Sequence, residues 1–308
     1  MLKNKLMPFC DSENKTLREV IVCAPTSYDV PESAADAVGF VNEYHSEEAH
    51  AQHEELKSKL QAFGCHVHDI SSGCDEEIWG RLVNRIFVRD IAGVFGNKII
   101  LGKSEAEIRS PDFQCSQSYM KELFETKDLS SLPESVALEF GDFMILNQDC
   151  VLVNVGHRSQ NKEKLAEYLL DLGVKEIGFV SLPQSVESLH LDVMCNILGE
   201  NRFLAAPAMK FFPVEVVKQN AVDPHFETVD QFVGRYGFET FWLPDQPYLL
   251  DYTNFINLDK NTALINENAR AQFEKWFPEH DFIGANVDEL QNGAGSIRCM
   301  TLPIVRED

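Results

Sequence analysis

The chain predicts an α/β fold assembled from repeated strand–strand–helix–strand units, and three observations lead there. Short runs rich in Val, Ile and Phe alternate with amphipathic helical patterns along the whole sequence. Acidic or imidazole side chains interrupt apolar runs at positions 90, 139 and 190, so the intervals are 139 − 90 = 49 and 190 − 139 = 51 residues. A period near fifty marks an internal repeat, and about five such units fit in the chain. One small sheet cannot cover its own apolar face, so the units are expected to pack against one another in a closed radial arrangement. No low-complexity tract or long linker breaks the cycle, and residues 1–308 are read as a single domain.

Residues 18–24 read as a first strand, stopped by Pro25. From 46 to 63, Ala49, His53, Leu56, Leu60 and Phe63 recur at helical spacing and line one face, and Gly64 closes the helix. A strand at 65–70 follows. The run 94–101 is strand folded about Asn97, while 137–146 and 150–155 pair as a hairpin. An amphipathic helix at 162–172, closed by Gly173, leads to a strand at 177–182. The cycle returns with 189–198 and 203–206, helical stretches at 214–220 and 226–236, and a strand at 238–243. It returns again with 252–258, 262–265, a helix at 268–276 and a last strand near His280.

Composition narrows the classes. A hydrophobic content of 44% is enough for a sizeable core. No apolar run of membrane-spanning length occurs and residues 1–8 are too polar for a secretory signal, so a cytoplasmic protein without membrane association is expected. The eight cysteines form no CxxC pair, which points to free thiols rather than a zinc ribbon or a disulfide framework. A net charge of −22 argues against nucleic acid and mildly favours cationic small molecules. His45, His50, His53 and Glu54 on the first helix suggest a metal set, but Lys57 stands where an HExxH motif needs its second histidine; a solvated helix face and no metal are expected.

Four segments carry the candidate chemistry. Between the turn residues Gly293 and Gly295 and the apolar run that ends at Ile304, Cys299 occupies the place of a nucleophile. Asp90 closes Phe87-Val88-Arg89-Asp90, where burying an acid without purpose would be costly. Glu139-Phe140-Gly141-Asp142 and His190-Leu191-Asp192 repeat the pattern, and His190 and Asp192 fall on the same face if their run is a strand.

These segments, in this order, resemble the guanidino-group-modifying enzymes, which include arginine deiminase, dimethylarginine dimethylaminohydrolase and the amidinotransferases. The resemblance spans nearly the whole chain and implies the pentein fold, a five-bladed α/β propeller of ββαβ units around a pseudo-fivefold axis, with a pocket at that axis. It further implies that Cys299 is the nucleophile, His190 the acid and base, and Glu139 the group that orients His190. Asp90 and Asp192 would grip the guanidinium. Asp142 and Phe87 would also contact substrate. Arg109 and Arg158 each lie nineteen residues after a motif acid (109 − 90 and 158 − 139), where deiminases similarly carry arginines for the substrate's α-carboxylate. Phe140 departs from the pattern, standing where relatives have glycine, a costly exchange if the position needs positive φ.

The chemistry fits these residue types. A guanidinium carbon is resonance-stabilised, so attack needs a thiolate and fixed geometry. Paired carboxylates supply that geometry through bidentate contacts. The expected activity is a cofactor-free hydrolase of arginine or a methylated arginine, working through a thiouronium adduct and releasing citrulline with ammonia or an alkylamine. An amidinotransferase, passing the group to an amine, is the alternative. A non-catalytic binding module of the same fold is the third reading. The expected partner is a small guanidino molecule, and a homo-oligomer is compatible with the sequence. The loop 25–31, with prolines at both ends, is expected to act as a lid.

Overall fold

The computed structural model describes residues 5–71, 76–185, 188–220, 223–244 and 249–308. Among them are five separate mixed sheets, each containing the same motif. Two short strands pair antiparallel, a helix crosses over, and a third strand returns parallel to the second.

In the second unit, Ala92–Phe95 turns through Gly96 (φ 55°) into Lys98–Leu101, helix Ser110–Leu123 crosses, and Leu129–Ser131 pairs parallel with Lys98–Leu101. The third unit has Phe143–Asn147, Cys150–Asn154, helix Lys162–Leu172 and Glu176–Val180. The fourth has Cys195–Leu198, Arg202–Ala205, helix Val229–Gly234 and Glu239–Trp242. The fifth has Ile256–Asn257, Thr262–Asn266, helix Glu267–Trp276 and Asp281–Ala285. The first unit joins the two ends of the chain: Leu302–Glu307 pairs antiparallel with Thr16–Val22, and helix Ser46–Phe63 leads to His66–Asp69, parallel to Thr16–Val22.

Two expectations are corrected. The stretch 214–220 is not helical: Val214–Lys218 is a strand that, with His225–Glu227, extends the third unit's sheet from inside the fourth unit's crossover. Three of its residues, Val214, Val216 and Val217, are β-branched and stiff at χ1, which favours the pleated surface. The helix expected at 226–236 shortens accordingly to Val229–Gly234, whose start is held by a capping box between Thr228 and Gln231.

The second correction bears on function. Asp90, Asp142 and Asp192 do not lie in strands but in single helical turns, Val88–Ile91, Phe140–Asp142 and Leu191–Met194, each leading directly into the first strand of its unit. His190 is the extended residue before the last of these turns, so it and Asp192 point different ways. Leu250–Thr253 and the turns before Leu302–Glu307 hold the corresponding places in the fifth unit and at Cys299.

Helix Ser46–Phe63 buries Ala49, Gln52, His53, Leu56 and Leu60. His53 is therefore part of the interior, not of a solvated face; burial pushes its pKa down to about 4 and favours the neutral ring.

Phe140 pays no left-handed penalty, because the non-glycine residues with positive φ among the described residues are Asn161, Asn220 and Ala294. Its ring packs edge-on to Phe143 with centroids 5.3 Å apart. It also fills the space over Gly93, where a Cβ would lie 2.1 Å from Phe140 Cδ1. Gly93→Ala is expected to overpack this contact and to lower stability by roughly 1–3 kcal/mol, read as a lower urea midpoint. An unchanged midpoint would mean that the Phe140 ring is free to give way.

Candidate active site

The turns that precede the strands deliver their side chains into one buried cluster. Glu139, the extended residue before Phe140–Asp142, places Oε2 2.9 Å from His190 Nε2. On the ring's other edge, Nδ1 lies 3.6 Å from Asp90 Oδ1. The close approach depends on Gly141, where a Cβ would come within 2.7 Å of His190 Nδ1 and 2.9 Å of Asp90 Oδ1. Burial disfavours charge on His190, yet the carboxylates of Asp90 and Asp142 and the hydrogen bond with Glu139 outweigh it and push the pKa up to about 10. Burial opposes ionisation of Glu139 as well, but His190, Arg158 and Arg109 hold it below the usual carboxylate range. The resting pair is imidazolium and carboxylate, with the proton already loaded.

The two arginines at nineteen-residue offsets prove to be the ion-pair partners of the acids that define the offset. Arg109 NH1 donates to Asp90 Oδ2 at 2.7 Å, while its Nε reaches Asp112 Oδ2 at 3.0 Å and its NH2 the Phe87 carbonyl at 3.3 Å. Arg158 NH1 donates to both oxygens of Glu139, at 3.0 and 3.1 Å, and Ser104 Oγ donates to Oε1 as well. Arg158 Nε is buried with no hydrogen-bond partner among the described residues. The expected hold on a substrate carboxylate thus falls on two groups that already neutralise buried acids.

Cys299 lies at the far side of the cluster, buried, with Sγ 3.6 Å from Asp192 Oδ2. Asp192 Oδ2 also accepts from Arg298 NH1 at 2.8 Å, and Arg298 NH2 donates to Glu13 Oε1 at 3.0 Å. Burial, then the charges of Asp192 and Asp90, push the Cys299 thiol well above its ordinary pKa. A cation seated between the two aspartates would remove the second cause and favour the thiolate. Asp90 Oδ1 and Asp192 Oδ1 are both buried and both lack a hydrogen-bond partner among the described residues.

Phe87, expected to touch substrate, packs under the turn that leads to Cys299: a Cβ at Gly293 or Gly295 would come within 2.6 or 2.5 Å of its ring. Ala294, between those glycines, adopts φ 63° in the left-handed region. Asp142 is turned to the protein. Its Oδ1 accepts from Asn154 Nδ2 at 2.8 Å and from the Leu191 amide at 3.0 Å, and its Oδ2 from Ser159 Oγ at 2.7 Å. It thereby holds the start of the turn that carries Asp192. Burial still pushes its pKa up to about 6.

The sequence reading left Glu13, Arg298 and Asn254 without roles. Arg298 lay inside the nucleophile segment, and Glu13 had no signal at all. Asn254 occupies the repeat position of the fifth unit, but the strands inserted in the fourth stretch its interval from Asp192 to 254 − 192 = 62 residues and hide it from a fifty-residue period.

A cavity of about 880 Å³ lies beside the cluster, with Val193 and Met194 on one wall, Gln291 and Ala294 on another, and Asp251 at its edge. The site residues do not themselves line it. The loop 25–31, expected as a lid, is not part of its lining either. That loop is tied down, by Arg85 NH2 to the Pro25 carbonyl at 2.7 Å, by Asp29 to Ser46, and by a bridge between Val30 and Tyr44.

The family model described as arginine deiminase matches residues 80–231. A structure of dimethylarginine dimethylaminohydrolase from Pseudomonas aeruginosa, complexed with citrulline, superposes with a TM-score of 0.70 at 16% identity, covering 93% of this chain and 99% of that one. SxtG, an amidinotransferase from Microseira wollei, superposes with a TM-score of 0.68 at 16% identity and 98% coverage of both chains. Residues 80–231, just under half of the chain, are thus similar to arginine deiminase, and the chain as a whole is similar in fold to these two enzymes. Its fold is the mixed α/β pentein fold of these structures. In sequence, the uncharacterized protein YkgA of Bacillus subtilis (strain 168) is 24% identical over 99% of this chain and 97% of its own length. An arginine deiminase of Listeria monocytogenes (serotype 4a, strain HCC23) is 24% identical over 74% of this chain, which spans 62% of that enzyme.

The raised pKa of His190 has a definite sign in stability. Its contribution is fully present below the unfolded imidazole's value near 6.5 and is lost as pH rises through the folded value of about 10. The destabilisation caused by His190→Gln, measured by thermal melting against the parent, is therefore expected to shrink steadily between these two pH values. A gap that widens with pH would mean a neutral ring in the folded protein.

Proposed function

We propose that this protein is a cysteine-dependent enzyme that transfers the amidino carbon of a guanidino substrate to water. The observation that carries the reading is the pair of buried carboxylate oxygens, Asp90 Oδ1 and Asp192 Oδ1, left without donors beside Cys299 and His190. A buried, unsatisfied carboxylate oxygen is costly in an empty site and becomes favourable when a planar cation supplies N–H donors. The five units are taken to stand around one axis within a single domain, which brings the turns before their first strands together. A cytoplasmic setting is part of this reading, and among the described residues no helix is long and apolar enough to cross a membrane.

In this mechanism the guanidinium lies between Asp90 and Asp192 and lowers the Cys299 thiol pKa. The thiol loses its proton to solvent as the cation binds, and Sγ, now thiolate, attacks the guanidinium carbon. As that tetrahedral centre collapses, the C–N bond to the leaving amine breaks and the amine takes the proton from His190, leaving a thiouronium adduct on Cys299. Neutral His190 then deprotonates a water that attacks the same carbon, the C–S bond breaks, and a ureido product departs. An amine in place of that water would make the same site an amidinotransferase. No step calls for a metal or cofactor. Because Arg109 and Arg158 are already paired, arginine is not favoured over guanidino compounds that lack a carboxylate.

Incubation with arginine, methylarginines and agmatine, with and without an acceptor amine, followed by mass spectrometry, separates hydrolysis from transfer and identifies the leaving group. Cys299→Ser is expected to abolish turnover while leaving the melting temperature intact, and Asp90→Asn to lower kcat/KM on the order of a hundredfold. Turnover that survives in Cys299→Ser would end the assignment of the nucleophile.

A further inference from the structure

We infer that Asn254 is a catalytic residue whose side-chain amide donates a hydrogen bond to the nucleophilic sulfur and stabilises the thiolate once it forms, an inference that rests on Cys299 being the nucleophile.

Asn254 follows the single turn Leu250–Thr253 and is buried. Its Nδ2 lies 3.0 Å from Cys299 Sγ, and no other side-chain donor is found on that sulfur among the described residues. The same Nδ2 reaches the Asp192 carbonyl at 3.3 Å. Its Oδ1 accepts from the Cys299 amide at 3.0 Å and from the Ser296 amide at 3.2 Å, and its own carbonyl accepts from the Arg298 amide at 3.1 Å. With Oδ1 engaged by two backbone amides, the side-chain orientation is settled: the oxygen faces the main chain and the NH2 faces sulfur.

The charged groups around the sulfur explain why a donor is needed. Asp192 and Asp90 both disfavour a thiolate, and burial disfavours it further. Arg298 is the nearby cation, but its guanidinium is committed to Asp192 and Glu13. His190 is held between Glu139 and Asp90. Asn254 and the Ser296 amide are the groups that favour the anion by hydrogen bonding. A neutral donor can do this without repelling a cationic substrate, which a lysine or arginine in the same place would do.

Two variants separate the roles of the amide's two ends. Asn254→Asp is isosteric and keeps an acceptor for the Cys299 and Ser296 amides, but it places a carboxylate against the sulfur. Asn254→Ala removes both ends. The readout is the rate of Cys299 alkylation by iodoacetamide between pH 7 and 10, followed by peptide mass spectrometry, with folding checked by thermal melting. In folded Asn254→Asp the rate at a given pH is expected to fall about tenfold or more, and further than in Asn254→Ala. A folded variant that is alkylated as fast as the parent across this range overturns the inference. Should both variants fail to fold, the side-chain amide resonances of Asn254 decide, compared by NMR between the parent and Cys299→Ala. A changed shift and faster amide exchange in Cys299→Ala support the contact, and coincident resonances overturn it. Alkylation and NMR need no substrate, so they judge the donor separately from turnover; loss of the donor effect with turnover intact would leave the hydrolase reading standing.

Discussion

The structure depends on neutralising acids that it buries together. Glu13, Asp90, Asp112, Glu139, Asp142 and Asp192 are all nearly inaccessible to water. Taking a carboxylate out of water costs several kcal/mol unless partners replace its hydration. Each therefore comes with a partner: Arg109 for Asp90 and Asp112, Arg158 and His190 for Glu139, Arg298 for Glu13 and Asp192, and three neutral donors for Asp142. The pairing is nearly complete. Among the described residues one oxygen each of Asp90, Asp112 and Asp192 is left without a donor, and at Asp90 and Asp192, beside His190 and Cys299, a positive charge is what a guanidino ligand would bring.

The same network holds the backbone of Cys299. The Cys299 amide and carbonyl are both engaged, the first by Asn254 Oδ1 and the second by the Arg89 amide at 3.0 Å. Phe87 supports the glycines of the turn from below. Arg298, one residue earlier, spans from Asp192 to Glu13 and so ties the turn to the fourth unit and to the N-terminal segment. A thiol fixed at so many points can be aimed without relying on the mobility of a loop, which is the condition for converting binding into positioning.

Burial also shapes the protonation of His190. The carboxylates around it favour its proton, and a cation arriving among them would weaken that pull. Substrate charge would then act twice: it favours the thiolate at Cys299 and it loosens the proton on His190. Both effects follow from placing one cation among acids spaced around a dry cluster.

Much of this was legible in the sequence. Strand and helix periodicity predicted the ββαβ order, because alternation and helical spacing are local properties that burial of one face imposes. The motif order from Asp90 to Cys299 named the residues that converge, since an acid within an apolar run is too costly to be incidental. The sequence could not show that these residues sit in single helical turns, because a turn of four residues is too short to display a period. Nor could it show that 214–220 joins a neighbouring unit's sheet, since that depends on an open strand edge more than thirty residues away. The equal offsets of Arg109 and Arg158 were visible, but their meaning was decided by which acid each guanidinium meets in space. Asn254, Glu13 and the two unpaired oxygens belong wholly to the tertiary structure, because a hydrogen bond between segments dozens or hundreds of residues apart leaves no trace in local order.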